Sequence, residues 1–277
     1  MTIGLFAFFI ITVLIPYLNF ILQSSIVNKE DKKIIAIAHR GASKLAFENS
    51  LTSFQIALKQ NIDVIEIDVH LTKDDVVVVS HDYNLKRIAK LDEDIEDLTY
   101  EQIKKLNIGD GFVNEKIPTL NEVLKLIDGK KKIMIELKWP RKGIYKNLVS
   151  KTLACIVQNE AVEWSIIQSF EKDYLKDVIE KYPQIECHQL VFGLSKILPI
   201  YYDNHFRFGQ FEPLEGVSSV NIFYMYLNSS FVKKMHSKGI KVMAFTLNDE
   251  KKIARAVNFG VDGIISDEAN IIKKFYD

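Results

Sequence analysis

One stretch, Ile62-Asp-Val-Ile-Glu-Ile-Asp-Val-His70, constrains what this chain can fold into more than any other. Read as a strand, its side chains alternate between two faces. Ile65, Ile67 and Val69 form an apolar face suited to packing against helices, and Glu66, Asp68 and His70 point the other way. Two carboxylates spaced two residues apart lie about 7 Å from each other along a strand. Such a pair repels itself unless protonated or bridged by a cation, so its burial near a site entrance implies a divalent metal. Asp63, on the apolar side of the alternation, is expected to be far more tolerant of substitution than Glu66 in activity and metal binding. A second apolar run, Val76 to Val79, follows the Lys73-Asp74-Asp75 turn and delivers Ser80-His81-Asp82.

A half-solvated sheet edge would account for one such strand, but other strands end the same way. Ile34 to Ala38 leads into His39-Arg40-Gly41, with Ile35, Ile37 and His39 on one face. Lys132 to Lys138 places Ile133, Ile135 and Leu137 on one face and Glu136 and Lys138 on the other. Further strands are predicted at Trp164 to Phe170, Ile185 to Val191, Val217 to Ile222, Ile240 to Asn248 and Val261 to Asp267. Helical patterns separate them. Asn49-Ser50 caps one that runs to about Gln60. Pro118-Thr119-Leu-Asn-Glu122 is a capping box. Later helices cover roughly 145–159, 174–181, Asn228 to Gly239, and a stretch ending at Gly260. Strands alternating with helices imply a mostly parallel sheet, and the number of units predicts an α/β fold closed into a (β/α)8 TIM barrel.

Two segments break the alternation. Residues 83–117 lack a sustained strand pattern and read as a small insertion with short helices after the second strand region. Phe192 to Gly216 is rich in aromatic residues. A hydrophobic helix and loop closing the barrel's flank is the plainer expectation for it, against an aromatic wall at the mouth that could accept an acyl chain.

The amino terminus carries a different signal. Thr2 to Ile26 has no charged side chain and is long enough to cross a bilayer as a helix. It lacks the basic start of a signal peptide, and Ser24-Ser25 is a poor cleavage site, so it reads as an uncleaved anchor. The expected organisation is a transmembrane anchor or signal segment at 1–27, a polar linker at 28–33 and the barrel at 34–277. The expected location is a single-pass membrane protein, or a secreted or extracytoplasmic one if the segment is cleaved. Lys+Arg 36 against Asp+Glu 36 leaves a net charge of +0, and no basic stripe stands out, which argues against nucleic acid as a partner. Cys155 and Cys187 have no metal-ligand spacing and read as buried thiols.

In a parallel barrel, polar side chains at the carboxyl ends of the strands converge on one mouth. His39, Arg40, Glu66, Asp68, His81, Glu136, Lys138 and Gln168 all sit at or near such ends. Together they supply acids for one metal, cations for an anion and paired histidines for proton transfer. That mixture suits phosphate ester chemistry better than sugar or acyl chemistry.

At these positions the chain resembles the glycerophosphodiester phosphodiesterase family. The resemblance runs through Ala38-His-Arg-Gly41, Glu48-Asn49, Glu66-Ile-Asp68-Val-His70-Leu-Thr72 and His81-Asp82. It continues through Ile117-Pro-Thr-Leu-Asn-Glu122, Ile135-Glu-Leu-Lys138, Gln168-Ser-Phe170, Phe245-Thr-Leu-Asn248 and Gly260-Val-Asp-Gly-Ile-Ile-Ser-Asp267. It implies a TIM-type barrel that hydrolyses glycerophosphodiesters to sn-glycerol 3-phosphate and an alcohol with one divalent cation, Ca²⁺ or Mg²⁺. It also implies Glu66, Asp68 and Glu136 as metal ligands, His39 and His81 as catalytic histidines, and Arg40 and Lys138 as holders of phosphate oxygens. Two positions depart from the family pattern. Phe47 stands where proline is usual, and Phe245 where tryptophan is common; both touch substrate choice and neither removes a catalytic group. The rival readings are a lysophospholipase D-type or phospholipase C-like barrel phosphodiesterase, with a lysophospholipid as substrate and the membrane as partner, and a non-catalytic barrel that only binds phosphodiesters.

Overall fold

The computed structural model describes residues 33–109, 115–194, 200–203 and 205–275. Eight parallel strands close on themselves: β1 (Ile35–Ala38), β2 (Val64–Leu71), β4 (Lys132–Leu137), β5 (Ser165–Ser169), β6 (Glu186–Val191), β10 (Ser219–Phe223), β11 (Lys241–Phe245) and β12 (Gly263–Ser266). Closure is made at β1, which pairs with β12 through Ile37↔Ile265 and with β2 through Ala38↔Ile65. The expected TIM-type barrel is therefore observed.

The period-2 reading of the strands holds in space. Ile65, Ile67, Val69, Ile133, Ile135 and Leu137 pack outward against the helix layer, with Phe54, Leu120, Leu124 and Leu148. On the alternate positions Ile37, Val64, Met134, Ile166, Met243 and Ile265 fill the lower barrel interior. Caps fix where the helices begin. Ser50 accepts from the Ser53 amide to start Leu51–Leu58, and Thr119 with Glu122 closes a capping box on Leu120–Ile127. Asn228 and Asp249 cap Ser229–His236 and Glu250–Asn258 in the same way.

His81 reaches the mouth by a route that simple alternation does not predict. β2 runs on past its barrel partners and turns back into β3 (Val77–Val79), which pairs with it antiparallel through Val69↔Val79 and Leu71↔Val77. The Ser80 amide then donates to the Asp68 carbonyl. This return hairpin, rather than the end of a barrel strand, brings His81 down to the level of the carboxylates. The insertion that follows contains short helices at Lys86–Ala89, Ile95–Asp97 and Tyr100–Ile103 over a small core of its own, including Leu85, Ile88, Ile95 and Ile103.

Among its described residues the aromatic connection contains no helix. β7 (Gly193–Leu194), β8 (Ile200–Tyr202) and β9 (Phe206–Phe208) form a separate antiparallel sheet. Its short runs of β-branched and aromatic residues prefer a pleated, half-buried surface to a helical stripe. The apolar segment within 1–27 lies outside the described residues. Among the described residues no helix is long and apolar enough to cross a membrane. The described chain begins at Lys33, paired with Asp63 at 3.2 Å just before β1, at the barrel end opposite the mouth.

Candidate active site

At the top of β1 the backbone turns sharply through Arg40 and Gly41, with φ of 56° and 78°. A side chain at Gly41 would press a Cβ to 2.5 Å from Ser53 Oγ and 2.8 Å from Phe54, so glycine is required there on both counts. The turn aims the Arg40 amide at Glu66 Oε2, 2.9 Å away. Its guanidinium bonds Glu48 at 2.9 Å and faces Asp68 at 3.4 Å.

Glu66, Asp68 and Glu136 come together because β2 and β4 are neighbours in register, with Asp68 opposite Glu136. One oxygen from each lies within 4.8 Å of the others, and all three residues are buried. Each carboxylate is gripped from outside the cluster. Asn49 donates to Asp68 Oδ2 at 2.9 Å, Gln168 to Glu66 Oε1 at 3.0 Å, and Lys138 to Glu136 Oε1 at 2.8 Å. Burial, with Asp68 and Glu136 beside it, raises the Glu66 carboxyl well above its ordinary range. Burial would raise Asp68 too, but Lys138, His81, Arg40 and His39 outweigh it and hold that carboxyl well below its usual value. Lys138 lies 3.1 Å from Asp68, and these acids hold its ammonium charged against the cost of burial. Asp68 Oδ1 is a buried oxygen without a well-aligned hydrogen bond. Three clustered carboxylates, one of them with such an oxygen, fit an oxygen-seeking divalent cation.

Both histidines are oriented by acids. His39 Nδ1 lies 2.6 Å from Asp267 Oδ1, and His81 Nδ1 lies 2.7 Å from Asp82 Oδ1. An ionised carboxylate only accepts, so Nδ1 carries the proton in each pair and Nε2 is left for proton exchange. The hydrogen bond from His81, and then Arg87, pulls Asp82 well below the carboxylate range. Asp267 is pushed up by burial but held low overall by His39, with Asn248 and Ser43 donating to it as well. Arg87, from the insertion, ties Asp82 to Glu48 and so joins the His81 side of the mouth to Arg40. His70 shares the Glu66 and Asp68 face but plays no open part. It is buried between the Tyr145 hydroxyl at 3.1 Å and the His81 carbonyl at 3.2 Å, and burial lowers its pKa to about 3.

A cavity of about 910 Å³ opens here, lined by His39, Arg40, Glu66, His81, Glu136 and Lys138, with Asp68 beneath them. The residues predicted for the site thus converge on one place. The sequence pattern alone marks no site role for the two histidine partners, Asp82 and Asp267, or for Arg87, and it presents Asn49 only as part of a helix cap. Asp82 adjoins His81, and Asp267 closes the last strand motif, so both carried a signal by position. The cavity has two unlike halves. Tyr83, Asn84, Lys86 and Arg87 line one, and Trp139, Phe170, Phe192, Tyr202, Phe223 and Phe245 line the other.

Many reactions use the mouth of a parallel barrel. Carboxylates grouped for a hard cation, beside an arginine and two acid-held histidines, narrow the class to barrel phosphodiesterases. The chain belongs to the glycerophosphoryl diester phosphodiesterase family, whose model matches residues 39–271. It is similar to YhdW of Bacillus subtilis, 34% identical over 243 residues that cover 86% of this chain and 96% of that one. A glycerophosphodiester phosphodiesterase of Caldanaerobacter subterraneus is 32% identical, with 87% and 99% of the two chains covered. Among solved structures, an Oleispira antarctica phosphodiesterase in complex with the product sn-glycerol-3-phosphate superposes with a TM-score of 0.70 at 27% identity, over 88% of this chain and 96% of that one.

Proposed function

We propose that this chain hydrolyses glycerophosphodiesters to sn-glycerol 3-phosphate and an alcohol, using one divalent cation. The buried carboxylate cluster flanked by two acid-oriented histidines carries this reading. Glu66, Asp68 and Glu136 would hold the cation, which when bound supplies positive charge beside the phosphate oxygens and lowers the cost of charge building there. The rest falls to the chain's own groups. Arg40 and Lys138 hold phosphate oxygens. One of His39 and His81 accepts the nucleophile's proton at Nε2 while the other delivers a proton to the departing alkoxide. Asp267 and Asp82 keep both rings turned for that exchange and stabilise each imidazolium as it forms.

Residues 34–277 act as the catalytic domain, with 83–117 as an insertion over the polar half of the cavity. The uncharged stretch from Thr2 to Ile26 supports a membrane anchor joined through 28–33. The test is a product assay on the full chain with calcium or magnesium across glycerophosphocholine, glycerophosphoethanolamine and glycerophosphoglycerol. Release of sn-glycerol 3-phosphate is expected, with no turnover in excess chelator. Phosphorylated alcohol plus free glycerol, or undiminished activity without metal, would overturn the reading.

A further inference from the structure

Below the carboxylate cluster a line of polar side chains crosses the barrel interior. Gln168 Nε2 donates to Glu66 Oε1 at 3.0 Å, Asn221 Nδ2 donates to Gln168 Oε1 at 2.7 Å, and Ser219 Oγ donates to Asn221 Oδ1 at 3.1 Å. Gln168, Asn221 and Ser219 are 1%, 0% and 0% exposed, and of the three only Gln168 reaches the cavity lining. They meet because β2, β5 and β10 are alternate strands of the barrel, and alternate strands contribute inward side chains to one layer.

The direction of the line follows from its upper end. A Glu66 that holds a cation is ionised and can only accept, so Gln168 must turn its NH₂ toward it. That turns Gln168 Oε1 toward Asn221, which must then donate, and Asn221 Oδ1 is left to take the Ser219 hydroxyl. The other Glu66 oxygen is held by the Arg40 amide at 2.9 Å. Both oxygens are therefore fixed by donors outside the cluster, one to each. An apolar layer would pack this space without polar atoms to satisfy. The chain instead spends two buried amides and a hydroxyl on one carboxylate.

We propose that Gln168 and Asn221 are positioning residues for the divalent cation, acting through Glu66 and resting on the metal reading given above. Gln168 sets the rotation of the Glu66 carboxylate, and Asn221 acts only by holding Gln168 in its donating orientation. Neighbours that orient a ligand typically change metal affinity by about 10- to 100-fold when removed.

The test is calorimetric titration of the full chain in detergent micelles with CaCl₂ and, separately, MgCl₂, for wild type, Gln168→Leu, Asn221→Leu and the double variant. Each single change is expected to weaken calcium binding by about 10- to 100-fold. The double variant should be no weaker than Gln168→Leu, because Asn221 has no route to the cation once Gln168 is gone. A packing role alone lowers the unfolding midpoint in chelator and leaves calcium affinity unmoved. Unchanged affinity in Gln168→Leu, or losses that simply add, overturns the proposal. Absence of calcium and magnesium binding by the wild-type chain overturns the metal reading and the relay together, whereas binding that ignores both substitutions overturns the relay alone. If Gln168→Leu does not fold, Gln168→Met, nearer in shape, takes its place in the cycle.

Discussion

His39 Nδ1 sits 2.6 Å from Asp267 Oδ1, a contact that joins the end of the first barrel strand to the end of the last across 228 residues of sequence. It exists because β1 pairs with β12 in register, Ala38 opposite Ser266, so the residues just beyond each strand are neighbours. Closure of the barrel and orientation of a histidine are therefore one structural event. Asp267→Asn keeps the shape but offers an NH₂ to a ring nitrogen that must donate, so it favours the wrong tautomer. A fall in kcat of about 100-fold is expected, with KM shifted less than about threefold. His39→Ala and His81→Ala should each cost kcat about 100-fold or more. Steady-state kinetics on purified variants checks this; a wild-type kcat in Asp267→Asn would remove Asp267 from the mechanism.

Calcium binding is expected to release a proton from Glu66. Burial, then Asp68 and Glu136, keeps that carboxyl protonated above its ordinary pKa in the metal-free chain, whereas coordination requires the carboxylate. Apparent calcium affinity should therefore rise as pH climbs through the raised Glu66 pKa and level off above it. The stability of the metal-free chain runs the other way. A folded pKa above the unfolded one gives stability that is full below the unfolded pKa and lost as pH rises through the folded value. Titrations in buffers of different ionisation enthalpy count the proton, and melting curves in chelator and in calcium check the slope. Glu66→Ala should abolish both the proton release and the activity while the barrel remains folded.

Asp63 carries a structural role that its strand pattern does not show. On pattern alone it stands on the apolar side of the strand and appears tolerant. In the fold it accepts from the Ala36 amide at 2.9 Å and pairs with Lys273 at 3.1 Å, tying β1, the start of β2 and the 3₁₀ segment Ala269–Phe275 together at the barrel floor. Asp63→Ala removes the acceptor of an inward amide and should cost about 1–3 kcal/mol of stability. Turnover per folded molecule should stay near wild type, because the residue lies at the end away from the site. Chemical denaturation beside an active-site-normalised assay distinguishes the two effects.

Much of this site was legible in the chain because strand period is rigid. Once Ile65, Ile67 and Val69 face the helices, Glu66 and Asp68 have no choice but the interior, and the same holds for Glu136 and Lys138 on β4. What escaped the sequence depends on pairing between distant strands. Asp267 beside His39, Gln168 beneath Glu66 and Asn221 beyond it need the barrel's closure and register, which no local window contains. His81 escaped in route though not in role, since only a hairpin's return explains its height. The 192–216 segment misled because its apolar density fits a helix until the short β-branched and aromatic runs are placed edge to edge.

The cavity's two halves lead to the last prediction. From Phe170 the rings run continuously: Phe245 at 6.3 Å, Phe223 a further 6.0 Å on, Phe192 stacked on it at 4.7 Å, then Tyr202 at 6.0 Å. The opposite half offers Tyr83, Asn84, Lys86 and Arg87. A phosphodiester held at Arg40 has two arms, and the hydroxyl-rich glycerol suits the polar half. The alcohol arm then lies along the rings. A choline head, cationic and covered in methyl groups, gains about 0.5–2 kcal/mol from aromatic faces, whereas a second glycerol gains little. Phe223→Leu and Phe192→Leu should lower kcat/KM for glycerophosphocholine by about 3- to 30-fold. For glycerophosphoglycerol they should change it less than about twofold. Competition between the two diesters in one reaction reads the ratio directly. Equal losses would place the glycerol arm on the rings. A lysophosphatidylcholine series extends the same assay. There the acyl chain hangs from the glycerol, so losses that grow with chain length in these variants would assign the aromatic half to hydrocarbon and reverse the two arms.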